Sequence, residues 1–168
     1  DNFAALDLWR GPSPGILTCN FVLANVPQMD IDNDIKARLL GEARFLRAHY
    51  YFILVRLFGG VPMPTEPLTA DSDLKMPRAS EDEVYALIIE DLKQAISLLP
   101  TRSKYGSKDI GRATKEAAMA ELARVYLTYQ PSTDNYNEVV RLCTEIGDMG
   151  YQLAPNYADN YNPAKQNG

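Results

Sequence analysis

GEARFLRAHYYFILVRLFGGVPMP, residues 41–64, decides the fold, because it joins an apolar helix to an abrupt stop. From Leu39, apolar positions recur at Ala43, Leu46, Ile53 and Leu57 with Tyr50 filling the gap, a three- and four-residue rhythm that marks one face of an α-helix. Phe45, Phe52 and Val55 make a second face. A helix apolar almost all round from Tyr50 to Phe58 is expected to be covered on most sides, inside a layered helical assembly. It is too short, and too often broken by Arg44, Arg47, His49 and Arg56, to span a bilayer. Gly59 and Gly60 permit positive φ where the helix ends, and Pro62 and Pro64 forbid its continuation. The chain is expected to leave in extended form.

Four more helices are predicted around this one. Before it, Ser13 is read as an N-cap with Pro14 at the first helical position, opening a helix that runs to Asn25 ahead of Pro27. Asp30, Asp32 and Asp34 suit the positive entry of the long helix. Residues 60–79 carry Pro62, Pro64, Pro67 and Pro77 and read as an extended surface linker. Ser80 with Glu83 three residues on is a capping box, and the stripe Val84, Ile88, Leu92, Ala95 and Leu99 runs from it to Pro100. After the polar loop TRSKYGSKDIG, Thr114 caps a fourth helix bearing Ala118, Leu122, Ala123, Tyr126 and Leu127; the fifth covers about Asn135 to Met149. No segment alternates long enough to argue a strand. Ile88, Leu92, Ala95 and Val139, Cys143, Ile146 share one spacing, and Ala48 to Tyr51 matches Ala123 to Tyr126. The reading is therefore all-α: a tetratricopeptide-like stack of about five helices with Pro-rich linkers, one domain over 1–168, ending in an irregular tail from 150.

The 168 residues are enough for a core, and a net charge of -5 with no basic stripe among aromatics argues against a nucleic-acid partner. A signal peptide is expected to be absent or already removed, since no basic start precedes an apolar run. Ile16, Leu17, Thr18 and Cys19 faintly suggest a lipid-attachment box, but WRGPSPG before them is the wrong leader. Two cysteines make no disulfide framework, and Cys19 and Cys143 are both expected to be buried free thiols. Asp30, Asp32 and Asp34 match the opening of a calcium-binding EF-hand loop, but Ile35 replaces its Gly and Gly41 its final Glu, so no metal ligand is assigned. His49, the single histidine, is read as a hydrogen-bonded core residue, and no catalytic residue or cofactor motif is found. Glu42, Arg44 and Arg47 are expected to form an ion-pair lattice between helices. Trp9, Tyr105, Tyr157 and Tyr161, which fall in loops or tails, are the candidate ligand-binding residues, because an aromatic ring packs well against the apolar face of a pyranose.

Gly41 to Pro62 resembles, almost position for position, the signature of the SusD/RagB-like outer-membrane glycan-binding lipoproteins. The resemblance continues in order through RASEDEVYALIIEDLKQAISLLP, GRATKEAAMAELARVYL and DNYNEVVRLCTEIGDMGYQLAPNYADNYNP. Upstream, Trp9, Ile16 and Asn20 keep the family's spacing, although Ser13 replaces an aromatic and Pro12 and Pro14 are atypical. The resemblance implies a non-catalytic component of a surface glycan-uptake system, lipid-anchored at the outer membrane, that passes oligosaccharide to a SusC-like TonB-dependent transporter. It also implies that this chain is the helical-repeat portion of a longer protein, serving as scaffold and transporter-docking surface. No family binding residue maps onto it. Two other readings stand beside this one: a helical-repeat adaptor that binds a peptide or protein in a concave groove, and a hydrolase working through His49 and a nearby acid.

Overall fold

The computed structural model describes residues 3–69, 71–72, 75–130 and 132–161, with side chains for all but 3–5, 160 and 161. Among them every regular element is helical: α1 (Phe3–Arg10), α2 (Pro12–Asn25), α3 (Asn33–Phe58), α4 (Glu81–Leu98), α5 (Lys115–Thr128) and α6 (Thr133–Asp148). Short 3-10 turns occupy Val26–Gln28, Arg102–Lys104, Ser107–Asp109 and Tyr157–Tyr161. The five helices expected from the sequence all form, and α1 is added in front of them. From α2 onward each helix packs mainly on the next in the chain, with α3 between α2 and α4 and lightly touching α5. This is the helix-on-helix stacking of a repeat architecture.

Local chemistry starts most of these helices where the sequence indicates. Asp32 accepts hydrogen bonds from the amides of Asp34 and Ile35 at 2.9 and 3.1 Å, so Asp32 caps the helix entry and Asp34 stands in its first turn. Ser80 and Glu83 form the reciprocal capping box, whose two bonds from Ser80 hold the Glu83 carboxyl below its usual range. Thr114 caps α5 through the Ala117 amide at 3.2 Å. The start of α2 differs. Its N-cap is Gly11, and the Ser13 hydroxyl donates back to the Trp9 carbonyl at 2.8 Å. Because α1 runs almost directly into α2, that hydroxyl finds a carbonyl one turn earlier and caps nothing.

The core is built from the faces that meet along the stack. Ala48, Tyr51 and Phe52 of α3 meet Val84, Ile88, Leu92 and Ala95 of α4, and Ala118, Met119, Leu122 and Val125 of α5 lie beyond. Both small-then-aromatic pairs, Ala48 with Tyr51 and Ala123 with Tyr126, are buried. The buried face of α3 is rotated from the one read by spacing. Leu46 and Leu57 remain 40% and 51% exposed, while Arg47 is buried. Neighbours decide this, since α2 and α4 cover only part of the helix circumference. Leu127 likewise stays exposed, and on α6 the side chain driven inward is Leu142, leaving Cys143 in solvent. Cys19 is buried as expected.

The described residues of the 60–79 segment are mostly extended, with a turn in which the Ser72 amide donates to the Thr69 carbonyl, yet the first part of the segment is not a surface linker. Gly59 adopts φ 69 as α3 stops, and Val61 is buried and accepts the Ala79 amide at 2.9 Å, bringing the segment back to its start. A Cβ on Gly60 would lie 2.1 Å from the Ala79 carbonyl oxygen, so only glycine admits this approach.

Candidate functional site

The polar centre of the molecule is a buried knot contributed by three helices. Asn20 of α2, Arg47 of α3 and Asp91 of α4 are 1%, 6% and 0% exposed. Arg47 grips Asp91 with two hydrogen bonds, Nε to Oδ2 at 2.7 Å and Nη2 to Oδ1 at 2.9 Å, and Arg44 adds a third at 2.8 Å. Arg47 Nη1 also donates to Asn20 Oδ1 and to the Thr65 carbonyl. Asn20 and the Tyr51 hydroxyl both donate to the Pro64 carbonyl at 2.8 Å. Desolvation of these charges is offset by near-complete pairing. The knot's donors and acceptors are used up in tying the linker to the stack, which is a structural role. Arg112 completes the expected lattice by donating to Glu42 at 3.1 Å.

His49 is not enclosed in the core. Its side chain is 40% exposed and its Nδ1 lies 3.0 Å from Glu121 Oε1, bridging α3 to α5, while Arg124 Nη1 donates to Glu121 Oε2 at 2.7 Å. Burial opposes the Glu121 charge, but the His49 hydrogen bond and Arg124 outweigh it and hold the carboxyl below its usual range. The bridge joins two helices.

The four aromatic candidates do not converge. Trp9, expected in a loop or tail, lies on α1, where it packs edge-on against Phe58 at 5.3 Å and borders a small apolar groove of about 160 Å³ with Ile16, Leu54 and Pro62. Tyr105 sits at the other end of α3, beside Asp34 and Arg38, roughly 30 Å away at 1.5 Å per helical residue. Tyr157 opens the last 3-10 turn with 74% of its surface exposed, and Tyr161 closes that turn with its side chain outside the described set.

Open space gathers around the 101–114 loop, whose ends are joined by the Lys115 amide donating to the Pro100 carbonyl at 3.0 Å. On one side lies a cleft of about 740 Å³ edged by Arg102, Ser103, Glu116, Tyr151 and Gln152, where buried Glu116 accepts the Arg102 amide. Tyr105 borders two further clefts, of about 350 and 440 Å³. Its hydroxyl donates to the Ala113 carbonyl at 2.9 Å, and burial together with the Glu42 charge raises its pKa, so it remains a protonated donor. Polar side chains beside an aromatic wall suit a hydroxyl-rich ligand. Sequence reading found Tyr105 but not Arg38, Arg102, Glu116 or Gln152. Their types carry no pattern, and only the folded loop brings them to the clefts.

A SusD-like family model, described as starch-binding and associating with the outer membrane, matches residues 1–127. A SusD-like protein of Formosa agariphila is 32% identical over 159 residues, which cover 94% of this chain and 29% of that protein. A solved SusD-like structure from Bacteroides fragilis is similar with TM-score 0.79 and 37% identity, over 92% of this chain and 29% of its own. A laminarin-binding SusD-like protein gives TM-score 0.83 and 28% identity, over 96% of this chain and 35% of its own. The chain thus spans about a third or less of the length of each.

Proposed function

The chain belongs to the SusD-like family, and on that premise we propose that it serves a non-catalytic, carbohydrate-binding component of a glycan-uptake system at the outer-membrane surface. In this reading the helical stack is the scaffold and the face that docks a SusC-like TonB-dependent transporter, to which oligosaccharide is delivered. The observation that carries it is the likeness of nearly the whole chain to a laminarin-binding SusD-like protein. The interior agrees with a scaffold, since its buried charges are spent on packing. Membrane attachment in this reading is through a lipid anchor, and among the described residues no helix is long and apolar enough to cross a membrane. Native electrophoresis of the intact protein through gels containing starch or laminarin tests the binding: retention in either supports it, and unretarded migration across a broad glycan panel removes it. Co-purification with a TonB-dependent transporter tests delivery separately.

Exposed apolar pairs one turn apart stand on α2, where Leu17 and Phe21 are 36% and 60% exposed, and on α6, and in this reading α6 is the face to test for docking. Tyr136 and Val140, one turn apart, are 48% and 65% exposed. Val140→Lys is expected to abolish transporter co-purification while leaving gel retention intact. Unchanged co-purification moves the docking surface elsewhere.

A further inference from the structure

We propose that the cleft between the 101–109 loop, the first turns of α3 and the end of α4 is a neutral-sugar subsite, in which a pyranose ring stacks on Tyr105 and offers oxygen acceptors to Arg38. The proposal rests on the glycan-binding reading and assigns it a place on this chain.

Three independent features meet there. First, Tyr105 stands between two clefts, and its hydroxyl is tethered to Ala113, so the ring is held in place as a wall with open space beside it. The larger cleft, about 440 Å³, is of the size that takes a small ligand, roughly 300–1,000 Å³. Second, Arg38 has spare donors. Among the described residues its Nε is the buried side-chain polar atom without a hydrogen-bond partner, and its Nη1 stands 3.7 Å from Asp109, beyond hydrogen-bond reach. Asp109 is already engaged by Arg112 at 2.8 Å. A guanidinium so under-bonded gains by turning onto an acceptor that enters the cleft, because an unmet buried donor is costly. Third, the remaining wall is mixed: Ile35, 45% exposed, and Leu98 supply apolar surface, while Lys104 and Asp34 offer a donor and an acceptor. A pyranose has the matching faces, an apolar one for the ring and a rim of hydroxyls that both donate and accept. Two cations balanced by two carboxylates favour a neutral sugar over a uronate.

Titration of the 15N-labelled protein with maltohexaose, laminarihexaose and trigalacturonate, followed by NMR, tests this. A neutral hexasaccharide is expected to shift the amides of residues 104–109 and the Arg38 Nε–H signal. Tyr105→Ala should weaken that binding about tenfold. Tyr105→Phe, which keeps the ring and loses the tether, should stay within about twofold, and Arg38→Gln should cost about fivefold. If Tyr105→Ala disturbs folding, the mapped shifts and Arg38→Gln decide. Shifts confined to Trp9 or to residues 149–152 overturn the subsite and leave glycan binding standing. Response to trigalacturonate alone overturns the neutral class, and silence towards all three probes overturns the subsite, while gel retention decides the broader reading separately.

Discussion

Arg47 shows how a single side chain can change role once its neighbours are known. In the sequence it is one of the charges that keep the long helix out of a bilayer; in the fold it is buried, and it joins α2, α3, α4 and the linker. Removing one partner of such a pair leaves the other charge buried and unmatched. Asp91→Ala is therefore expected to cost about 3–5 kcal/mol in urea unfolding. A loss under about 1 kcal/mol would show that the pair is dispensable. The two cysteines separate in the same way. Burial pushes the Cys19 thiol up to about 11, with Arg47 opposing, whereas Cys143 is exposed. Iodoacetamide at about pH 8 should label Cys143 alone in the native protein and both thiols in urea, as mass spectrometry would read. Both cysteines lie among apolar neighbours in the sequence, so composition could not separate them.

Elements were legible where their signals are short-range. The capping box at Ser80, the Asp32 and Thr114 caps and the stop after Phe58 are all written within four residues of the place they act. Ser80→Ala is expected to lower stability by about 1 kcal/mol, read by thermal unfolding. The linker was legible as extended but not as anchored. Gly60→Ala sets a methyl against the Ala79 carbonyl and should cost roughly 2 kcal/mol or more, with faster proteolysis of residues 61–79 as the local readout. The α3–α5 contact contributes to the acid limb of the pH dependence, beside Glu83 of the capping box. Glu121 has a folded pKa below its ordinary 4.5, so its stabilisation is complete above that value and fades as pH falls through the folded one. Glu121→Gln should flatten that acid limb of the stability curve, and an unchanged limb would assign it to other carboxylates.

At the scale of the whole molecule, Trp9 is the single tryptophan, and it joins the start of the chain to the end of α3 through Phe58. Its emission should move to the red at the same urea concentration at which helical signal is lost, because α1, α2 and α3 belong to one stack. An earlier fluorescence midpoint would mean that α1 opens by itself. Of the candidate site, Tyr105 was legible as a loop aromatic, but Arg38 beside it was not: the two are 67 positions apart and no local rule links them. By itself the sequence determined the all-α stack, most helix starts and stops, and the family likeness, because periodicity, caps and signatures are properties of neighbouring residues. Only the tertiary structure decided which face of α3 is covered, that Arg47 is buried while His49 is half exposed, and which aromatic stands beside open space. Those outcomes depend on partners 27, 44 or 72 residues distant, whose approach is set by how helices pack rather than by what each helix says alone.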